Sequence, residues 1–161
     1  MSTLFVDTIN EKTTNNGVQI SGHIVQVVRT YVADSAVIET SSTSFVASGI
    51  TASITPKASG NIILVDMFIG MADSVSATMN TQMHQLIAGG SYSTMAGGGA
   101  YHMGIQSTTN RYSPLVFGGK YTTTSTSQLT YQPYFKATSS STVRLVHVNS
   151  SYALTLMENA Q

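Results

Sequence analysis

The segment from Gln128 to Glu158 constrains the fold more than any other part of the chain. Three runs in it, Leu129 to Lys136, Val143 to Val148 and Tyr152 to Met157, alternate partly or fully between apolar and polar residues. A period of two sends successive side chains to opposite faces of a strand, so each run offers one face to a core and the other to solvent. Short tracts of Ser, Thr and Asn separate the runs, and these residues suit turns better than helices. The segment reads as consecutive antiparallel strands, with no cluster of catalytic residue types beside them.

The same pattern extends towards the N-terminus. His23 to Ala33 is a strand candidate rich in Val, and Ala36 to Thr51 is a Ser/Thr-heavy connection anchored by Phe45 and Val46. Ile50, Ala52 and Ile54 alternate with Thr51, Ser53 and Thr55, and Pro56 to Gly60 ends that strand as a turn. Asn61 to Met71 is apolar on both faces, which fits a central strand covered on two sides. Thr78 to Ile87 places Met79, Thr81, Met83, Gln85 and Ile87 on one face, and Tyr112 to Thr123 is a further strand candidate. Eight to ten strands with almost no helical periodicity predict an all-β, antiparallel β-sandwich, jelly-roll-like, over residues 22–161. Residues 1–21 hold a short strand with apolar groups on both faces and the turn Asn15-Asn16-Gly17. That block is too small to fold alone and reads as an extended N-terminal arm that docks on something else.

Composition excludes several function classes. With 161 residues a single domain buries a sizeable core unaided. The 7 Lys and Arg are scattered and balance the 7 Asp and Glu, whereas a nucleic-acid binder clusters its cations. There is no Cys, hence no disulfide framework and no thiolate nucleophile. The opening MSTLFVDTINEK lacks the basic and long apolar regions of a signal peptide. The longest apolar run, from Ile62 to Met71, is interrupted by Asp66 and too short to span a bilayer as a helix.

Candidate site residues are sparse. Asp7, Glu11, Asp34, Glu39, Asp66, Asp73 and Glu158 form no close pair on one predicted strand face, while glycoside cleavage needs two carboxylates about 5–10 Å apart. No catalytic residue is assigned on that basis, and Asp66 is expected to be buried and satisfied by backbone donors or an Arg. His23, His84, His102 and His147 include no HxH or HxxxH pair. Copies of His84 or His102 meeting on a threefold axis could ligate a metal, but hydrogen-bonded histidines are the favoured reading, and no metal or cofactor is expected. Gly89-Gly90 and Gly97-Gly98-Gly99 lack the spacing and the Lys of a phosphate-binding loop. Around them Tyr92, Tyr101 and His102 offer aromatic area among small residues, the mixture of a surface contact loop. Met79, Met83, Met95 and Met103 read as core or interface filler.

Taken together, ITASITPKASGNIILVDMFIG and SSYALTLMEN resemble the small β-sandwich modules of structural and fibre proteins in tailed bacteriophages, especially marine and cyanobacterial ones. In that family a strand ending in Ile-Thr-Pro, a Ser/Gly turn and an apolar strand open the sandwich, and an apolar-Met-Glu triplet closes it. Ile54-Thr55-Pro56 and Leu156-Met157-Glu158 stand at those positions. The opening LFVDTINEKTTNNGVQISG is similar to the family's attachment segment.

The resemblance implies a virion location after synthesis in the host cytoplasm, a homotrimer, and docking on other virion proteins of the baseplate, tail or capsid. Leu4, Phe5, Val6, Asp7, Thr8 and Ile9 would be the docking residues. It implies a non-enzymatic tail or baseplate fibre protein that contacts host surface glycans. The alternative is a capsid decoration or head-fibre protein; a carbohydrate-active enzyme or free lectin-like domain is the reading from another class. Neither nucleic acid nor membrane insertion is expected.

Overall fold

A computed structural model describes residues 20–74, 77–95, 101–103 and 111–161, with only the backbone described at 101–103 and 111. The docking residues Leu4 to Ile9 lie outside the described residues. The described strands are β1 (Ile24–Ser35), β2 (Ile38–Thr40), β3 (Val46–Ala47), β4 (Ala52–Ile54), β5 (Ile62–Ser74) and β6 (Met79–Ile87). They continue with β7 (Ser93–Thr94), β8 (Tyr101–Met103), β9 (Arg111–Thr122), β10 (Leu129–Ala137), β11 (Val143–Val146) and β12 (Ser150–Asn159).

All described pairings are antiparallel, and they form two sheets. In the first, β1, β12, β5 and β9 are successive neighbours, with β11 and β2 joining at one end. In the second, β10 pairs with β6, flanked by β3 and β4 on one side and by β7 and β8 on the other. Both β11 and β12 pair with β5, as a single long strand would when interrupted at His147–Asn149. With β11 and β12 counted as one strand, the sheet orders β1-β12-β5-β9 and β4-β10-β6-β8 are those of a jelly roll, the two-sheet Greek-key sandwich.

The core lies between the sheets. Ile63, Val65, Met67 and Ile69 of β5 are fully buried, and across from them lie Met79 and Met83 of β6 and Tyr131 and Phe135 of β10. Leu154 and Leu156 of β12 and Leu145 of β11 complete it. Met79, Met83 and Met95 are core residues, where an unbranched, polarisable side chain fills irregular space.

The last three strands are divided between the sheets: β10 belongs to one, and β11 and β12 to the other. Alternation sets which side chains turn inward, but not which sheet a strand joins. Two expectations need correction: strand β5 is central, but among the described residues its outer face is open, since Phe68 there is 42% exposed. Asp66 is also exposed on that outer face. Among the described residues, the fully buried acids are Asp73 and Glu158.

Glu158 explains why the two terminal motifs of the sandwich occur together. Its Oε1 accepts hydrogen bonds from the Lys57 backbone N–H at 2.8 Å and from Asn61 Nδ2 at 2.7 Å. Its Oε2 accepts one from Gln26 Nε2, which also donates to the Thr55 carbonyl at 2.7 Å. The last strand, the turn after Ile54-Thr55-Pro56 and the first strand therefore meet at one carboxylate. A buried carboxylate is tolerable only with such donors.

Candidate functional site

Three surfaces carry chemistry, and each follows from strand register. The first is the outer face of the β10–β6 sheet. Gln132 lies opposite His84, Tyr134 opposite Gln82, and Lys136 opposite Asn80. Diagonal neighbours on such a face come within reach of long side chains. Here the His84 and Tyr134 rings stack at 3.9 Å between centroids and 16° between planes. Tyr92, from the turn after β6, lies 6.1 Å from Tyr134 at a 53° tilt. His84 Nε2 and Gln82 Oε1 are hydrogen-bonded at 3.2 Å. Burial lowers the His84 pKa, which favours the neutral imidazole, and burial followed by the neighbouring Tyr134 raises that of Tyr92. Lys136 Nζ sits 4.9 Å above the Phe45 ring. Stacked rings bordered by amides can hold a hydroxyl-rich ring by stacking and directional hydrogen bonds.

Of the expected contact-loop residues, Tyr92 therefore joins an aromatic cluster. The backbones of Tyr101 and His102 lie opposite Thr81 and Asn80, further along β6. Sequence reading did not place Tyr134 and His84 with Tyr92. The available signal was the outward alternation of β10 and β6, which puts Tyr134 and His84 on polar-face positions.

The second surface is a groove of about 480 Å³ lined by Ala36, Val37, Glu39, Tyr112, Arg144 and His147, among others. It forms where the outer strands are interrupted together, between β1 and β2 and between β11 and β12. Arg144 bridges two acids across three strands, with Nε 2.9 Å from Glu39 Oε2 and Nη1 3.0 Å from Asp73 Oδ2. The Glu39 hydrogen bond is the main cause of its raised pKa. Tyr112 meets His147 edge to face at 4.8 Å. These groups line one wall of the groove, with the single Arg144 cation shared between two carboxylates. Asp73, Arg144 and Glu39 are directly opposite one another on β5, β11 and β2, a register that no local pattern reveals.

The third surface is the outer face of the β1-β12-β5-β9 sheet. Val27 is 56% exposed, Tyr31 55%, Phe68 42% and Val116 67%. The Arg29 guanidinium lies 5.1 Å from the Tyr31 ring centroid. Among the described residues, no three His, Cys, Asp or Glu are grouped to hold a metal, and no helix is long and apolar enough to cross a membrane.

Comparison with protein-family models and with curated proteins finds no match. Solved structures with a related arrangement include a chain in the structure of infectious bursal disease virus Gx strain, at 9% identity and a TM-score of 0.45. That alignment covers 83% of this chain and 32% of the virus chain, so this chain spans about a third of its length. Another is the CBM22-1 xylan-binding domain from Paenibacillus barcinonensis Xyn10C, at 15% identity and a TM-score of 0.34, covering 92% of this chain and 88% of that one.

Proposed function

We propose that this chain is a non-enzymatic structural protein of a bacteriophage virion, a short tail or baseplate fibre module. It assembles through one sheet face and presents the other to the host surface. The observation that carries this reading is the open outer face of β1-β12-β5-β9. Four large apolar side chains between 42% and 67% exposed on one face are characteristic of an association surface, because water contact with clustered apolar area is unfavourable. The low charge content, 9% of residues, agrees with a chain that works within an assembly.

In this reading residues 1–21 form the arm that docks on other virion proteins, with Leu4 to Ile9 adding as a strand to a partner's sheet edge. The Tyr92, Tyr134 and His84 cluster on the opposite sheet supports contact with a host surface glycan. A capsid decoration protein would share this design and differ in what the arm engages.

The test is the native mass of the full chain beside that of a Phe68→Asp/Val116→Asp variant, both checked for fold by far-UV circular dichroism. A multimeric wild type and a monomeric, folded variant support the proposal. Two monomers at every concentration up to hundreds of micromolar sink it.

A further inference from the structure

Strand register turns the open face into a grid of four strands by three rows. Val27, Met157, Leu64 and Lys120 form one row across β1, β12, β5 and β9. Arg29, Thr155, Asp66 and Gly118 form the next, and Tyr31, Ala153, Phe68 and Val116 the third. Opposed residues share a face, so all twelve positions look outward with Phe68. We infer that this face is the seat of a second copy of the same chain, joined face to face about a two-fold axis running parallel to the strands between β12 and β5. The inference rests on the assembly role proposed above and specifies its geometry.

The grid itself selects that axis. Rotation about it carries β1 over the partner copy's β9 and β12 over its β5, with each row facing itself in reverse. Arg29 then meets the gap at Gly118 while lying beside Asp66 one strand away, at about 4.8 Å, and Phe68 lies over Ala153, which its own neighbours leave only 3% exposed. Thr155 offers its hydroxyl to the facing Asp66. Tyr31 covers Val116, the most exposed large apolar residue of the described chain, and the aliphatic stem of Lys120 lies over Val27. Large groups opposite small ones let two sheets interdigitate. A two-fold axis across the strands instead places Arg29 on Arg29 and Asp66 on Asp66, and facing like charges oppose association. An isologous face-to-face contact closes at two copies, so it differs from the homotrimer that the phage resemblance implies.

Size sets the expected strength. Four strands about 4.8 Å apart and three rows about 6.8 Å apart give a footprint of roughly 400 Å² per copy. Standard stable interfaces cover about 800 Å² per partner. The pair is therefore weak in dilute solution and is favoured where copies are concentrated.

Cross-linking tests the geometry directly, because the chain has no cysteine of its own. Full-length Tyr31→Cys/Val116→Cys and Tyr31→Cys/Val27→Cys variants are each treated with a short bismaleimide and run on denaturing gels. The first pair faces across the inferred axis and the second across the rejected one. A covalent dimer at least fivefold more abundant from the first pair is the expected result. The reverse ratio, or equal yields, overturns the inference. So does a multimeric native mass with neither pair cross-linking, an outcome that leaves the assembly role standing. Monomers throughout overturn both. A third variant, Val116→Cys alone, is labelled with a monofunctional maleimide at nanomolar concentration. Labelling as fast as that of a free thiol is expected, while strong protection under those conditions means the chain's own residues 1–19 cover the face and also overturns the inference.

Discussion

Replacing Glu158 removes the group on which the first strand, the turn after β4 and the last strand converge. In Glu158→Ala the Lys57 N–H and Asn61 Nδ2 lose their acceptor, and Asn61 is only 3% exposed, so water replaces the carboxylate poorly. Gln26 keeps its bond to the Thr55 carbonyl and loses only its second partner. Hydrogen bonds to a charged group contribute about 1.5–3 kcal/mol each, and a buried donor left alone costs about 1–3 kcal/mol. Two such losses and a partial third give an expected destabilisation of about 3–5 kcal/mol. That is a large share of the 5–15 kcal/mol typical of a domain. Glu158→Gln keeps the acceptor oxygen for Lys57 and Asn61 but sets an amide N–H against Gln26, so about 1–2 kcal/mol is expected. Urea unfolding at one fixed protein concentration, followed by circular dichroism, measures both through the midpoint at unchanged slope. A Glu158→Ala loss below about 1 kcal/mol, or a Glu158→Gln variant as damaged as Glu158→Ala, would refute the reasoning.

Three further outcomes are expected. A Cβ at Gly118 would run into the Val65 carbonyl oxygen on β5, so Gly118→Ala should lose about 3 kcal/mol or more, or fail to fold, as read by thermal melting. The Tyr131 hydroxyl is buried without a hydrogen-bond partner among the described residues, and burial pushes its pKa well up. Tyr131→Phe should therefore leave urea stability unchanged or raise it by up to about 1 kcal/mol, and a loss above that size would show that the hydroxyl is satisfied. Because burial holds the His84 pKa below its ordinary 6.5, the unfolded chain binds a proton first as pH falls, and stability declines from about pH 6.5 downward. His84→Gln should flatten that decline between pH 7.5 and 5, measured as the urea midpoint against pH; an unchanged slope contradicts it.

The core was legible because its signal is local. Ile50, Ala52 and Ile54, the inward set from Met79 to Gln85, and the alternation of β10 and β12 need only period two and burial to be read. What escaped depends on partners distant in sequence. Nothing near Asp73 or Arg144 announces their ion pair, because it needs the β5–β11 register across 71 positions. Asp66 was misread for a related reason. An apolar stretch on both sides of a strand reads as two covered faces, whereas Asp66 lies on a face that no described residue covers.

Strand β5 has a buried face that the β10–β6 sheet covers, and an outer face bearing Leu64, Asp66 and Phe68 that nothing among the described residues covers. The outer face of the other sheet differs in kind, with half-buried Gln82, His84 and Tyr134 offering hydrogen-bonding groups suited to water or a polar ligand. Two copies joined through the apolar faces would turn both polar aromatic faces outward, on opposite sides of the pair. Each such face alone is small, and a second copy raises the effective concentration for a repetitive surface without any new contact chemistry. Hence Tyr134→Ala should weaken attachment to a glycan-coated surface far more in the assembled protein than in the folded Phe68→Asp/Val116→Asp variant. Surface plasmon resonance at matched subunit concentration measures this, and equal weakening in the two would separate assembly from display.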